Sequence, residues 1–205
     1  MPPADLLARA VRHHEAGRLA QAQRLYSKVL ASQPGQPDAL HLLGVIAHQQ
    51  GRHRQAVERI EAAIAANPRV AAFHYNLGLA RRALGRPGVQ AALAAFAAAL
   101  ELDPGHRDAA FEKAGVEAEL GHLEAAIAGF RRLLAAGPDG PAQANLAQAL
   151  RQAGRFAEAA EAYQDALAAE PEEAELWAGQ GQVLAALGRH GEAAASFRRA
   201  LEIRP

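Results

Sequence analysis

The sequence contains no cysteine, and this absence removes several classes of chemistry. A disulfide framework, a thiolate zinc site, an iron–sulfur cluster and a thiol nucleophile are all excluded. Threonine is absent too, the only serines are Ser27, Ser32 and Ser196, and aromatic residues make up 5% of the chain. Because residue types that favour strands are scarce, an all-α fold is expected. Residue types that act as nucleophiles are scarce as well.

Long apolar runs are also missing. Charged residues interrupt the first helical segment, at Asp5, Arg9, Arg12 and Glu15. The sequence therefore predicts neither a signal peptide nor a membrane span, and we expect a cytoplasmic protein without a membrane partner. The only lysines are Lys28 and Lys113, and no run of arginines alternates with aromatics, so no nucleic-acid partner is expected either.

Charge is balanced overall but unevenly placed. The chain has 205 residues, with 22 basic and 22 acidic side chains. Residues 1–102 carry a net charge of +6, whereas residues 103–205 carry −6. The sequence therefore predicts an electrostatic dipole.

Proline and glycine recur with a period close to 34 residues. The prolines that recur in this way are Pro34, Pro68, Pro104, Pro138, Pro171 and Pro205. The recurring glycines are Gly17, Gly51, Gly85, Gly121, Gly154 and Gly188. Each glycine stands where one helical segment should stop, which favours a left-handed cap, and each proline should end the next segment. Two extra residues around Arg86-Pro87-Gly88 predict a longer turn inside the third repeat.

Apolar residues between each glycine and its proline follow helical spacing. Leu19-Ala22-Tyr26-Val29 and Phe156-Ala159-Tyr163-Ala166 are two examples. Such a stripe predicts one buried helical face, and small residues before each glycine, such as Gly44 and Gly78, predict close helix contacts.

This pattern resembles the tetratricopeptide repeat (TPR) family, whose signature is W-x2-L-G-x2-Y, then A-x3-F-x2-A, then P over 34 residues. The sixth repeat agrees best, through Trp177, Gly181, Leu184, Gly188, Ala193, Phe197, Ala200 and Pro205. The resemblance implies a right-handed superhelical solenoid of six helix-turn-helix repeats across residues 1–205. The repeats are placed at 3–36, 37–70, 71–106, 107–139, 140–173 and 174–205. Twelve helices are predicted, at 4–16, 20–31, 37–50, 53–66, 71–84, 89–102, 107–120, 123–136, 140–153, 156–169, 174–187 and 190–203.

Candidate metal ligands do not converge on one site. His41 and His48 lie seven residues apart on one predicted helix, about 10.5 Å along its axis, too far to bind one ion unaided. Histidines that face solvent or line a groove are expected instead.

Candidate catalytic motifs are equally weak. Gly179 and Gly181 make half of a dinucleotide-binding fingerprint, but no strand precedes them. The serines fall in or near second helices and assemble no triad, and the glutamates of residues 172–175 suit the start of a helix. We therefore expect no enzyme activity and no cofactor.

The resemblance implies that the first helices of successive repeats line a ligand-binding groove. The positions carried over are Leu7, Val11, His14, Glu15, Asp38, His41, Val45, His48, Gln49, Tyr75, Asn76, Leu79, Arg82, Asp108, Phe111, Glu112, Glu119, Asn145, Gln148, Arg151, Glu175 and Gln182. A lining of apolar, aromatic and amide side chains suits an extended or helical peptide. The expected function is thus a non-catalytic scaffold that binds a peptide or protein segment.

Two alternatives remain open at this stage. Asn76 and Asn145 match an asparagine ladder of the TPR arrays that precede bacterial O-linked N-acetylglucosamine transferase-like or sulfotransferase domains, which implies the recognition arm of a larger enzyme. The other is a self-assembling module, because Leu187, Phe197 and Leu201 close the last repeat without a capping helix, so self-association through residues 174–205 is expected. The lysine and asparagine clamp that grips acidic chaperone tails is absent.

Overall fold

The computed structural model describes residues 2–205, which form twelve α-helices and no strand. The helices are α1 (Pro3–Glu15), α2 (Leu19–Ser32), α3 (Pro37–Gln49), α4 (His53–Ala66), α5 (Ala71–Arg82), α6 (Arg86–Leu102), α7 (Arg107–Glu119), α8 (Leu123–Ala135), α9 (Gly140–Gln152), α10 (Phe156–Ala169), α11 (Ala174–Ala186) and α12 (His190–Ile203). The all-α prediction is confirmed. Every predicted helix end lies within two residues of the observed one, except the start of α6.

The periodic glycines act as the predicted caps between the two helices of a repeat. All six have φ between +70° and +78°, a conformation that residues with a Cβ rarely adopt. At Gly17 the backbone N–H donates to the His14 carbonyl at 2.9 Å, and the Arg18 N–H donates to the His13 carbonyl at 2.9 Å. These bonds satisfy carbonyls that the end of α1 would otherwise leave open.

The periodic prolines stand just beyond the second helices. In five of the six repeats the helix ends two residues before the proline, and the intervening residue is extended, with φ from −129° to −146°. Steric clash with the proline ring disfavours helical geometry at that position, so the proline sets the end of the helix in these five repeats.

The third repeat differs from its prediction. Arg86, Pro87 and Gly88 belong to α6, which is 17 residues long, so the extra residues lengthen the helix and not the turn. Pro87 lies in the first helical turn, where its missing N–H costs nothing. Gly88 is buried, and a Cβ there would collide with the Arg81 carbonyl at the end of α5. The close approach of α5 and α6 thus depends on glycine.

Alanine and glycine positions bring the paired helices together as predicted. The alanines at the predicted contact position are all buried, namely Ala22, Ala56, Ala92, Ala126, Ala159 and Ala193. At Gly78 of α5, an added Cβ would collide with the ring of Phe96 in α6.

The chain forms two compact units, Met1–Ala109 and Ala110–Pro205, divided within α7. In the first unit, α1 pairs with α2, α3 with α4 and α5 with α6, and each pair packs on the next. Its buried side chains form two clusters, around Tyr26 and Ile46 and around Ile60 and Phe73. The second unit has one cluster that includes Phe130, Leu150 and Tyr163. The single array predicted over residues 1–205 stays a prediction.

Candidate functional site

In the first unit, most of the expected groove residues lie on α1, α3 and α5. Of these, His41 is buried and most of the others are partly buried, namely Leu7, Val11, His14, Val45, His48, Tyr75, Asn76, Leu79 and Arg82. The face is therefore half-exposed, with both apolar and polar side chains.

His41 departs from the expectation of an open groove histidine. Its ring is 8% exposed and packs against Phe73, with ring centroids 4.5 Å apart. The Asn76 side-chain amide donates to His41 Nε2 at 3.1 Å and to the Ala72 carbonyl at 2.9 Å. Burial lowers the pKa of His41 to about 4, against the Asp38 carboxylate, which raises it. His41 is therefore a neutral imidazole that joins α3 to α5.

A pair of histidines links α3 to α4. The Nδ1 atoms of His48 and His53 lie 3.2 Å apart, so one ring must donate and the other accept. Burial and the neighbouring His53 lower the pKa of His48. Within residues 2–205, no group of three or more histidine and carboxylate side chains is placed to hold a metal ion.

Tyr75 lies between two other rings. Its centroid is 4.8 Å from that of His106 and 6.0 Å from that of Phe96. The ring is partly buried, so Tyr75 contributes to packing as well as to the surface.

In the second unit, a cleft of about 340 Å³ runs between α9 and α11. It is lined by all three groove residues expected on α9, Asn145, Gln148 and Arg151, and by Glu175 and Gln182 of α11. Phe111 does not line this cleft. It packs edge-on against Phe130, with centroids 5.9 Å apart.

Tyr163 of α10 forms part of the cleft floor. Its side chain is 3% exposed, and its ring edge and hydroxyl lie beside Gly179, where an added Cβ would stand 2.5 Å from the hydroxyl oxygen. The helical pattern predicts a buried Tyr163 but does not predict that its hydroxyl reaches the cleft, because that access depends on Gly179 in the next repeat.

Two features recognised in the sequence have structural roles. Trp177 Nε1 donates to the Pro171 carbonyl at 2.8 Å, and His74, the corresponding residue in the third repeat, donates from Nε2 to the Pro68 carbonyl at 2.9 Å. Ser196 Oγ donates to Gln180 Oε1 at 3.0 Å, so it is engaged in packing α12 on α11. No helix between residues 2 and 205 is long and apolar enough to cross a membrane.

The family comparison agrees with these repeats. A tetratricopeptide repeat family model matches residues 88–141 and 145–205, and a second one matches residues 13–85. Both describe a repeat and not a catalytic domain. No curated protein matches the chain.

Solved structures share the fold at low sequence identity. A tetratricopeptide repeat protein from Parabacteroides merdae ATCC 43184 has a TM-score of 0.80 at 17% identity, covering 99% of this chain and 80% of that one. PilW, a type IV pilus biogenesis factor, has a TM-score of 0.77 at 24% identity, covering 98% and 93%. YrrB, described as a TPR protein with an unusual peptide-binding site, has a TM-score of 0.77 at 16% identity, covering 88% and 92%. The repeat spacing, the capped helix pairs and the two family models lead to one conclusion: this chain belongs to the tetratricopeptide repeat family.

Proposed function

We propose that the chain is a non-catalytic scaffold that holds a peptide or protein segment against the faces of its first helices. The observation that carries this proposal is the cleft between α9 and α11, which Asn145, Gln148 and Arg151 line together. The family's usual role as an interaction scaffold supports it.

The chemistry of the cleft suits a peptide backbone. Asn145, Gln148 and Gln182 carry amide groups that both donate and accept hydrogen bonds, as the backbone of an extended peptide requires. Ala144, Ala178 and Gly179 are small, so a chain could approach the helices closely. In the first unit, the bond from Asn76 to His41 holds α3 and α5 in a fixed relation, which limits the ordering cost of binding there.

A selection from a random displayed peptide library tests this function. Binders should be obtained with the native chain, and the double variant Asn145→Ala/Gln148→Ala should weaken them about 30-fold, since each lost hydrogen bond is worth about 1 kcal/mol. Gln152→Ala is the matched control, because Gln152 is exposed on the same helix and does not line the cleft. Failure to select any binder, or equal affinity for the native chain and the double variant, would contradict the proposal.

Self-association is a second candidate function. Leu187, Phe197 and Leu201 are 38%, 36% and 63% exposed, and they lie at the end of α11 and on α12. Exposed large apolar side chains grouped in this way are typical of interaction surfaces. We propose that a second copy of the chain covers them.

A further inference from the structure

The Tyr163 hydroxyl opens onto the cleft and has no hydrogen-bond partner within residues 2–205, although the rest of the side chain is buried. Only 3% of the residue is exposed. Tyr26, the corresponding residue of the first repeat, also has a hydroxyl without a partner, but that oxygen is sealed from solvent. The two tyrosines differ in what the next repeat places above them.

Gly179 is what exposes the Tyr163 hydroxyl. The corresponding position is Leu42 in the second repeat, Asn76 in the third and Asn145 in the fifth. A side chain at 179 would fill the space beside the hydroxyl, since even a Cβ would stand 2.5 Å from its oxygen. The gap therefore gives an occupant of this cleft a hydrogen-bonding group that the corresponding site above Tyr26 does not offer.

One end of the cleft is acidic. Glu170 lies against Gly140 at the start of α9, and Glu173 and Glu175 stand at the start of α11. Within the described residues, Glu170 and Glu173 form no ion pair. Glu175 meets Arg204 Nη2 at 3.1 Å, but both side chains are more than two-thirds exposed, so this pair is weak and readily exchanged. The acidic end therefore has charge available for a cationic group.

The opposite end is basic. Arg151 is six residues beyond Asn145 on α9, about 9 Å further along the helix axis. Its Nε is sealed from solvent and has no hydrogen-bond acceptor in residues 2–205. An anionic group beside the guanidinium would supply the opposite charge that Arg151 lacks within residues 2–205.

From this arrangement we propose that the cleft selects an extended peptide with a basic side chain at the acidic end and an acidic side chain at Arg151. The proposal rests on the proposed function and adds the ligand's chemistry. The Tyr163 hydroxyl accepts a hydrogen bond from the basic side chain, and the amides of Asn145, Gln148 and Gln182 bind the backbone between the two charges. Gly179, beside the Tyr163 hydroxyl, corresponds to Asn145, and Asn145 and Arg151 are about 9 Å apart along α9. About three residues of extended peptide span that distance.

Fluorescence anisotropy with defined peptides tests this selectivity. The probe is labelled acetyl-GSKAAEGS-amide, and its controls are GSQAAQGS, GSKAAQGS and GSQAAEGS in the same form. The doubly charged peptide should bind at least tenfold more tightly than the neutral one, with the singly charged peptides between them, and raising the salt concentration should narrow the difference. Equal affinities for the charged and neutral peptides would overturn the proposal.

Two matched variants locate the effect. Tyr163→Phe removes only the hydroxyl and should weaken GSKAAEGS about fivefold, as expected for one lost hydrogen bond. Tyr26→Phe removes the sealed hydroxyl of the first unit and should leave the affinity unchanged. The same affinity for both variants would overturn the role of Tyr163.

Reversing the charge at residue 151 tests whether Arg151 selects the acidic side chain of the peptide. Arg151→Glu should reverse the preference, so that GSKAAKGS binds more tightly than GSKAAEGS. If none of the defined peptides binds but library-selected peptides bind and are sensitive to Asn145→Ala/Gln148→Ala, the charge selectivity is overturned while the scaffold function stands. If no library peptide binds either, both proposals fail.

Discussion

Acidification from pH 7 to pH 5 should destabilise the first unit through His41. The folded protein holds this ring at a pKa of about 4 because the ring is buried, whereas an unfolded chain has the ordinary value of 6.5. Between pH 4 and pH 6.5, His41 is largely protonated in the unfolded chain and largely neutral in the folded chain. The stabilisation is therefore complete above pH 6.5 and is lost as the pH falls towards 4.

The size of this effect follows from the two pKa values. A shift of one unit corresponds to about 1.4 kcal/mol, so the whole window between pKa 6.5 and about 4 is worth at most about 3.5 kcal/mol. At pH 5 the loss relative to pH 7 should be about 2 kcal/mol. Of the charged groups that act on His41, Asp38 favours the proton and His14 opposes it, and the protonated ring would also lose Nε2 as an acceptor for Asn76.

Urea unfolding followed by circular dichroism measures this directly. His41→Gln removes the titrating group while keeping an acceptor for Asn76, so its stability should fall about 2 kcal/mol less between pH 7 and pH 5 than that of the native chain. His48, whose pKa is also lowered, adds a pH dependence of the same sign to both proteins. Identical pH dependence in the two proteins would refute the argument.

Four further outcomes are expected. Ala159→Leu should cost about 1–3 kcal/mol in thermal unfolding because it overpacks the contact between helices, whereas Ala157→Leu on the exposed side of α10 should change little. Gly88→Ala should lower the melting temperature, since its Cβ meets the Arg81 carbonyl; an unchanged value would contradict the described start of α6. Tyr26→Phe should raise stability by up to about 1 kcal/mol in urea titration, because it removes a buried hydroxyl without a partner. Sedimentation should show concentration-dependent association that Leu201→Glu weakens. A monomer at every concentration would contradict the proposal that a second copy of the chain covers Leu187, Phe197 and Leu201.

Local regularities account for the parts of the fold that the sequence predicts well. Glycine adopts a positive φ at little steric cost, and proline disfavours helical geometry at the residue before it. The cap at Gly17 and the helix end before Pro34 therefore follow from single residues. The buried alanines follow from helical periodicity alone. The predicted start of α6 at residue 89 is wrong, because the helix begins at Arg86. The glycine spacing places Pro87 in a turn, whereas proline is also favoured in the first turn of a helix.

The site depends on contacts between repeats, which periodicity does not specify. His41 matches a groove position, yet Phe73 and Asn76 from the next repeat bury it. Tyr163 matches a core position, yet Gly179 from the next repeat opens its hydroxyl to the cleft. Each outcome is set by a residue more than 15 positions away, so a pattern taken one helix at a time cannot predict it.

Nuclear magnetic resonance of the side-chain amides tests the central claim most directly. A library-selected peptide would be titrated into the ¹⁵N-labelled chain while the amide signals of Asn145, Gln148 and Gln182 are followed. Binding in the cleft predicts that these signals shift together and saturate at one affinity, while the signal of Gln164, exposed on α10, stays in place. Shifts confined to the second helices α8, α10 and α12, with the three cleft amides unchanged, would contradict the account.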